Sequence, residues 1–422
     1  MSRVATNAFW LYVAQIGGLV IPLVELPFLA RALGQESFGA VLYALGLALT
    51  ASVFVEFGFI FSAARTTVAV RHDRARLAQL TTDVLTAKAL LGSAVVSLVA
   101  VFVLSGLGAT YIPAHWIGWI AVAIFGFGFS PMWYFVGIER LILPAMLDLG
   151  LRTLGLVLVV LLVKNPAHGE RVLMIQALVG AANTLIPTIM MLRMTGFGQV
   201  SLSGARRVFS QSSEIFLYKA SQNILASLSS TLLGSLGGAR AVGAFVPAEK
   251  LVRAASGLAG PLFNAMFPHA VSLRKDASAA RSLAMSVLIA VLFCGILFAA
   301  AATVLADRAV NFVFGPGYEE AAVLLRLLVW VVPIRIASMA LALLWFIPSG
   351  NEWFASRAMM VNIFGITALA IALVPSLGGL GITIAFLFSE SVMLAVLLFM
   401  FVRRPESSEV RVIRKVMDGH RE

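Results

Sequence analysis

Apolar residues occur along this 422-residue chain in long runs, separated by short connections that carry Gly, Pro, Asn and charged side chains. A run of about 20 apolar residues is long enough to cross the hydrocarbon core of a bilayer as a helix. The pattern therefore predicts twelve membrane-spanning helices, with no soluble domain inserted between them. The predicted spans are residues 6–32, 38–63, 83–106, 115–137, 144–163, 171–192, 211–234, 241–268, 283–306, 321–346, 356–374 and 379–402.

The composition agrees with a membrane protein. Hydrophobic residues make up 60% of the chain and charged residues 12%, whereas a soluble domain averages about 45–50% and about 25%. Too few charged side chains are present to cover the surface of a soluble protein of this size. The single cysteine, Cys294, lies inside a predicted span, and the five histidines form no pair at helical spacing. We therefore expect no disulfide, no metal site, no catalytic residue and no cofactor.

Lys and Arg are unequally divided between the two sides of the predicted topology. If the N-terminus is cytoplasmic, the inside segments hold 19 of these residues and the outside connections hold 5. Because cytoplasmic connections of membrane proteins are enriched in Lys and Arg, we expect both termini to be cytoplasmic. The net charge of +11 follows from this asymmetry. It indicates contact with anionic membrane lipids, and a nucleic-acid partner is not needed to explain it.

Two segments about half the chain apart resemble each other. GQESFGA (34–40) and GARAVGA (238–244) each open a span on the outside, at an offset of 204 residues. A further similarity relates WY (133–134) and Glu139 to WF (345–346) and Glu352. We predict a six-helix half at 1–207, a second half in the same orientation at 208–402, and a charged cytoplasmic tail at 403–422. Parallel repeats about an axis along the membrane normal are a recognised transporter plan.

Basic residues inside the spans are costly unless they face protein or water, so they indicate function. Two of them, Lys88 and Arg326, are expected to extend their charges to the headgroups. The others are Arg152, Lys219, Lys250, Arg253 and Arg335.

Lys250 lies about nine residues into the eighth span, close to the bilayer midplane at 1.5 Å per residue. Glu249 and Arg253 are four residues apart and can pair on one helix face, one turn after Pro247. Lys219 has no acidic residue three or four positions away. We predict that Lys219, Lys250, Arg253 and Arg65 line one aqueous cavity between the halves, with Arg335 as a further cationic candidate. The alternative is a structural Glu249–Arg253 pair beside a Lys250 that reaches the headgroups.

The acidic residues in the spans allow more than one role. Asp148 and Arg152 are spaced as a structural ion pair. Glu25, between two prolines, and also Glu56 and Glu249, are candidates to balance cavity cations or to couple transport to a proton or sodium gradient. The sequence does not rank these roles.

Several motifs in order resemble the polysaccharide flippases (the Wzx type) of the multidrug/oligosaccharidyl-lipid/polysaccharide exporter superfamily. The similarity covers essentially the whole chain and resides in order and spacing more than in any one motif. The motifs are PFLARALG (27–34), FG (38–39 and 57–58), SAAR (62–65), WYFVGIER (133–140), VGAF with AEK (242–250), FGPGY (314–318) and GGLG (378–381).

This resemblance implies a bacterial inner-membrane flippase with a cation-lined cavity and alternating access. Its substrate would be an undecaprenyl-pyrophosphate-linked oligosaccharide for O-antigen, capsule or exopolysaccharide synthesis. A polysaccharide polymerase and a chain-length regulator would be its partners. The alternatives are another exporter of the superfamily, moving drugs or a peptidoglycan precursor, or a membrane polymerase or ligase. The short outside connections without histidine near 307–320 argue against an enzyme.

Overall fold

The computed structural model describes residues 3–106, 112–273 and 276–403, with the backbone alone at 3–12, 15, 19, 214–227, 264, 277 and 352. The regular elements in these ranges are all helices. They are α1 Arg3–Glu56, α2 Phe59–Val70, α3 Arg74–Leu104, α4 Ile117–Gly128, α5 Met132–Gly137, α6 Ile142–Leu162, α7 Gly169–Thr195, α8 Leu202–Gly257, α9 Gly260–Ser272, α10 Ala277–Phe314, α11 Glu319–Leu328, α12 Val331–Leu341, α13 Glu352–Leu377 and α14 Gly379–Arg403, with a π-helical turn at Ala342–Phe346.

Nine stretches of the described residues are long and apolar enough to cross a membrane. The first, Ile16–Val70, is 55 residues long and contains the first two predicted spans. The other eight coincide with predicted spans three to six and nine to twelve. Predicted spans seven and eight lie in α8 and α9, and α8 includes the residues described by backbone alone. The all-helical membrane fold predicted from hydropathy is confirmed.

The repeat detected in the sequence has a structural counterpart at two glycines. Gly34 interrupts α1 with φ 70° and ψ 166°, and Gly238 interrupts α8 with φ 87° and ψ 170°. A positive φ is unfavourable for residues with a Cβ atom, which accounts for glycine at both positions. The two breaks are 204 residues apart, the offset found in the sequence.

The segments after these two breaks cross at close range and reciprocally. A Cβ atom on Gly39 would lie 1.8 Å from the Ala239 carbonyl oxygen, and one on Gly243 would lie 2.1 Å from that of Gln35. At the repeat offset of 204, Ala239 is the counterpart of Gln35 and Gly243 is the counterpart of Gly39. Gly39 packs on Ala239, and Gly243 packs on Gln35, so the same contact is made in both directions. A local two-fold axis requires this reciprocity.

Similar aspartate caps, 203 residues apart, begin α3 and α10. Asp73 accepts a hydrogen bond from the Arg76 amide at 3.1 Å, and Asp276 accepts from the Ser278 and Ala279 amides at 3.1 and 3.0 Å. Their φ/ψ values, −109°/100° and −111°/92°, are nearly the same. Such caps satisfy free amides at a helix start. The bonds from Ala279 and Ser278 lower the pKa of the exposed Asp276 carboxyl.

Contacts within the chain group residues 1–243 and 244–422 into two compact units. In the first unit α4 packs on α7 and α1, and α5 packs on α2. In the second unit α13 packs on α14, and α10 and α14 both pack on α12. The predicted boundary between 207 and 208 stays a prediction, as does the role of the tail, most of which (404–422) lies outside the described residues.

Candidate functional site

Five of the seven basic residues predicted inside spans form ion pairs with acidic side chains. An uncompensated charge in the membrane is expensive, so a paired base has a structural explanation that does not require a ligand. The pairs are Lys88–Glu56, Arg152–Asp148, Arg253–Glu249, Arg326–Asp307 and Arg335–Glu390. The other two basic residues are Lys250, which also interacts with another residue, and Lys219, whose side chain lies outside the described residues.

The Lys88 side chain is fully buried in the first unit, so the prediction that it extends to the headgroups is wrong. Its ammonium lies 2.5 Å from Glu56 Oε2 on the neighbouring helix, and its exposed fraction is 0%. It also lies 5.7 Å from the centre of the Phe59 ring, within range of a cation–π contact. These internal partners replace the water that a headgroup position would have supplied.

Lys88 and Glu56 provide hydrogen-bonding partners for backbone groups at two breaks in the helices. The Lys88 ammonium donates to the carbonyls of Gly128 (3.1 Å) and Ser130 (2.9 Å), which are released where α4 ends before Pro131. Glu56 Oε1 accepts from the Ile60 amide at 2.8 Å, in the first turn of α2. Because freed backbone groups in a membrane need internal partners, this pair stabilises both breaks.

Two further acids of the first unit have hydrogen-bonding partners. Arg152 Nε donates to Asp148 Oδ1 and Oδ2 at 2.8 and 2.9 Å, and the Asn183 amide donates to Oδ1 at 2.6 Å. The predicted spacing thus produces an ion pair on α6, which α7 supports. Glu25 is buried and accepts from the Gln176 amide at 2.6 Å. Both acids thereby connect separate helices by polar contacts.

In the second unit, Arg335 of α12 points to Glu390 of α14. Its Nε and Nη2 donate to Glu390 Oε1 at 3.0 and 2.6 Å. The side chains are 18% and 2% exposed, so this pair is largely shielded from solvent. The predicted substrate contact of Arg335 stays a prediction, but the structure gives this guanidinium a protein partner.

The charged stretch of α8 after Pro247 contains one buried and two partly exposed side chains. Glu249 is buried and accepts from the Arg253 guanidinium, whose side chain is 40% exposed. Lys250, one residue on, is partly exposed. The Glu249–Arg253 pair has the i,i+4 arrangement expected from the sequence. Such a pair leaves part of the Arg253 surface accessible.

The two other predicted cavity cations differ in what the structure describes. Arg65 of α2 is exposed, and no acidic partner for it is found among the described residues. The Lys219 side chain lies outside them. Convergence of Lys219, Lys250, Arg253 and Arg65 on one cavity therefore stays a prediction.

Arg326, the second base expected to reach the headgroups, pairs with Asp307 while its side chain stays 43% exposed. The acidic partners of Lys88, Arg326 and Arg335 lie 19 to 55 positions away in the sequence. Such separations do not correspond to a helical spacing, so the sequence could not show which acid pairs with which base. The sequence showed only that acids and bases nearly balance within the spans.

Comparison with known proteins supports the resemblance seen in the motifs. Residues 4–274 match the family described as "Polysaccharide biosynthesis protein". A putative O-antigen transporter of Escherichia coli (strain K12) is 24% identical over 76% of this chain and 78% of its own length. One from Shigella dysenteriae is 23% identical over 91% of this chain and 96% of its own length. Both matches therefore extend over most of the chain and not only over the motifs.

Solved structures show the same fold. The lipid II flippase MurJ, in an inward closed conformation, aligns over 93% of this chain and 87% of its own, with a TM-score of 0.71 and 13% identity. An inward-facing multidrug transporter of the MATE family aligns over 92% of this chain and 94% of its own, with a TM-score of 0.61 and 14% identity. With the family match spanning well over half of its length, this chain belongs to the polysaccharide biosynthesis protein family and has the fold of the MOP exporter superfamily.

Proposed function

We propose that this protein is a flippase that moves an undecaprenyl-pyrophosphate-linked oligosaccharide across the bacterial inner membrane by alternating access, for cell-surface polysaccharide synthesis. The observation that carries the proposal is the match of 91% of the chain to a relative named "Putative O-antigen transporter". Family and relatives indicate a transporter rather than an enzyme. Both termini are proposed to be cytoplasmic.

The substrate headgroup would be recognised by basic side chains. A pyrophosphate cannot enter hydrocarbon alone, whereas Lys and Arg neutralise it through charge-assisted hydrogen bonds. Lys219 and Lys250 are bases inside predicted spans, and Lys250 is partly exposed. Arg65 and Arg253 offer exposed guanidinium surface. We assign the pyrophosphate to these four residues. Arg335 ranks below them because its pair with Glu390 is largely shielded from solvent, with the Arg335 side chain only 18% exposed.

Coupling to a proton or sodium gradient would use an acidic residue in a span. Glu56 is poorly suited, since protonation would leave the fully buried Lys88 ammonium without its counter-charge. Glu249 holds Arg253, which is partly exposed and can be solvated when the pair opens. Glu249 is therefore preferred over Glu56 as a coupling candidate, and Glu25 stays a further candidate.

The rival functions make different demands on the site. A drug exporter that takes cations needs an acidic cavity, but the in-span acids Glu56, Asp148, Glu249 and Glu390 are each neutralised by a base. Against a polymerase or ligase stand the family match and the relatives, which indicate a transporter. The anionic lipid-linked substrate agrees better with the charges.

The proposal is tested by complementing a flippase-deficient strain and by measuring transport of lipid-linked oligosaccharide in vesicles. Lys219→Ala is expected to abolish transport at normal membrane abundance, and Lys219→Arg to retain part of it because a positive charge remains. Lys164→Ala, in an outside connection, is the matched control. Full complementation by Lys219→Ala would remove this residue from the site. Polymerisation activity without transport would contradict the proposed function.

A further inference from the structure

A cavity of about 390 Å³ opens at one end of the first unit, and none of the paired bases of the spans lines it. It lies among the segment after α5, the start of α6 and the last turns of α7. The positive-inside pattern predicts that these helix ends are cytoplasmic. The cavity is thus expected at the depth where phospholipid headgroups meet acyl chains.

The lining of this cavity is apolar on most sides. Phe135, Leu143, Met190 and Met194 are among its lining side chains. Leu143 is 56% and Met194 42% exposed, so the cavity is open toward its surroundings. Met side chains are flexible and polarisable, which suits them to contact a mobile hydrocarbon chain.

The charged part of the lining is positive. Glu139 and Arg140 both face the cavity, but the Glu139 carboxylate pairs with Arg71 Nη1 at 3.2 Å. Within the described residues Arg140 has no acidic partner. Arg140 is also exposed. A guanidinium left unneutralised beside an apolar cavity matches a ligand with a phosphate at one end and hydrocarbon at the other.

We propose that this cavity binds an anionic phospholipid, with its phosphate on Arg140 and an acyl chain along Leu143, Met190 and Met194. This goes beyond the proposed transport function, because the occupant is a bilayer lipid that is not translocated. Basic pockets between spans at the cytoplasmic side bind anionic headgroups in the same manner.

The test uses the purified full-length protein and native mass spectrometry with phosphatidylglycerol or phosphatidylcholine. The wild type is expected to retain one more molecule of phosphatidylglycerol than of phosphatidylcholine. Arg140→Ala should lower its affinity about fivefold, the factor that corresponds to ~1 kcal/mol per basic residue at the membrane surface. Arg140→Lys should retain binding, and Leu143→Trp should reduce it by filling the cavity while leaving the charge in place.

Arg74→Ala is the control, because Arg74 is also exposed on the predicted cytoplasmic side but does not line the cavity. Equal losses from Arg74→Ala and Arg140→Ala would overturn the proposal, since surface charge alone would explain them. Equal retention of phosphatidylcholine would overturn it as well. Preferential binding of undecaprenyl phosphate at Arg140 would assign the cavity to the transported lipid class instead. If Leu143→Trp is poorly produced, the comparison of phosphatidylglycerol binding by Arg140→Ala and Arg140→Lys still tests the proposal.

Discussion

Removal of the Lys88 ammonium is expected to destabilise the first unit strongly. Lys88→Met would leave the Glu56 carboxylate without its counter-charge, and the Gly128 and Ser130 carbonyls would lose their donor. Breaking a buried ion pair costs about 3–5 kcal/mol. Because the Glu56 side chain is 25% exposed and keeps some solvation, we expect a loss near the lower limit, about 3 kcal/mol.

Glu56→Gln removes the other member of the pair and should cost more, about 4–5 kcal/mol, since Lys88 is 0% exposed and would remain charged. In the double variant neither charge is left unpaired. The summed single losses should therefore exceed the loss of the double variant by about 1–3 kcal/mol, the usual coupling energy of residues in contact.

Unfolding in detergent, followed together with membrane abundance, measures this cycle. Arg76→Met is the control, because Arg76 pairs with Asp73 at the surface, where the side chains are 78% and 47% exposed. An exposed pair contributes at most about 1 kcal/mol. Wild-type stability of Lys88→Met would refute the reasoning, as would strict additivity of the two substitutions.

Three further changes test other parts of the structure. Gly39→Ala would place a Cβ atom 1.8 Å from the Ala239 carbonyl oxygen and should cost about 1–3 kcal/mol; Gly18→Ala, with open space around it, should cost nothing when unfolding is measured in detergent. Glu249→Gln should lower the yield of folded protein on blots, because Arg253 loses its counter-charge; a normal yield would contradict this. Reporter fusions at residue 166 and at the C-terminus should give opposite locations, and the same location would refute the topology.

Hydropathy was sufficient to predict the helical membrane fold, because crossing a bilayer demands apolar length whatever the packing. The Glu249–Arg253 and Asp148–Arg152 spacings were equally visible, since a regular helix fixes which side chains share a face. The environment of Lys88 was not visible. Its position depends on how α3 packs beside the break between α4 and α5, and that contact is set by tertiary structure.

The positions at which the helices are interrupted were also not predicted from the sequence. Gly34 and Gly238 were recognised as parts of a repeat, but the repeat did not indicate that both residues have positive φ values. Phe57 and Glu139 have φ values of 43° and 59°, which few residues other than glycine adopt. No sequence pattern identifies such residues, because the surrounding packing imposes their conformation.

The two repeats share their backbone features but not their charges, and this separates the requirements of the fold from those of a site. Gly34 and Gly39 have counterparts at Gly238 and Gly243. By the same offset, the positions equivalent to Glu249, Lys250 and Arg253 are occupied by Leu45, Gly46 and Leu49, and the position equivalent to Lys219 by Gln15.

Asymmetry alone does not indicate function, since Glu56 and Lys88 correspond to Gly260 and Leu292 by the same offset. That pair, however, neutralises itself and satisfies freed backbone groups, so the first unit uses both charges internally. Lys219 has no acid at helical spacing that could do the same. Because a charge inside a span is costly and the first repeat has a neutral residue at the equivalent position, Lys219 is where we predict that the protein binds an anion. Transport by Lys219→Ala, measured at normal membrane abundance, tests that prediction.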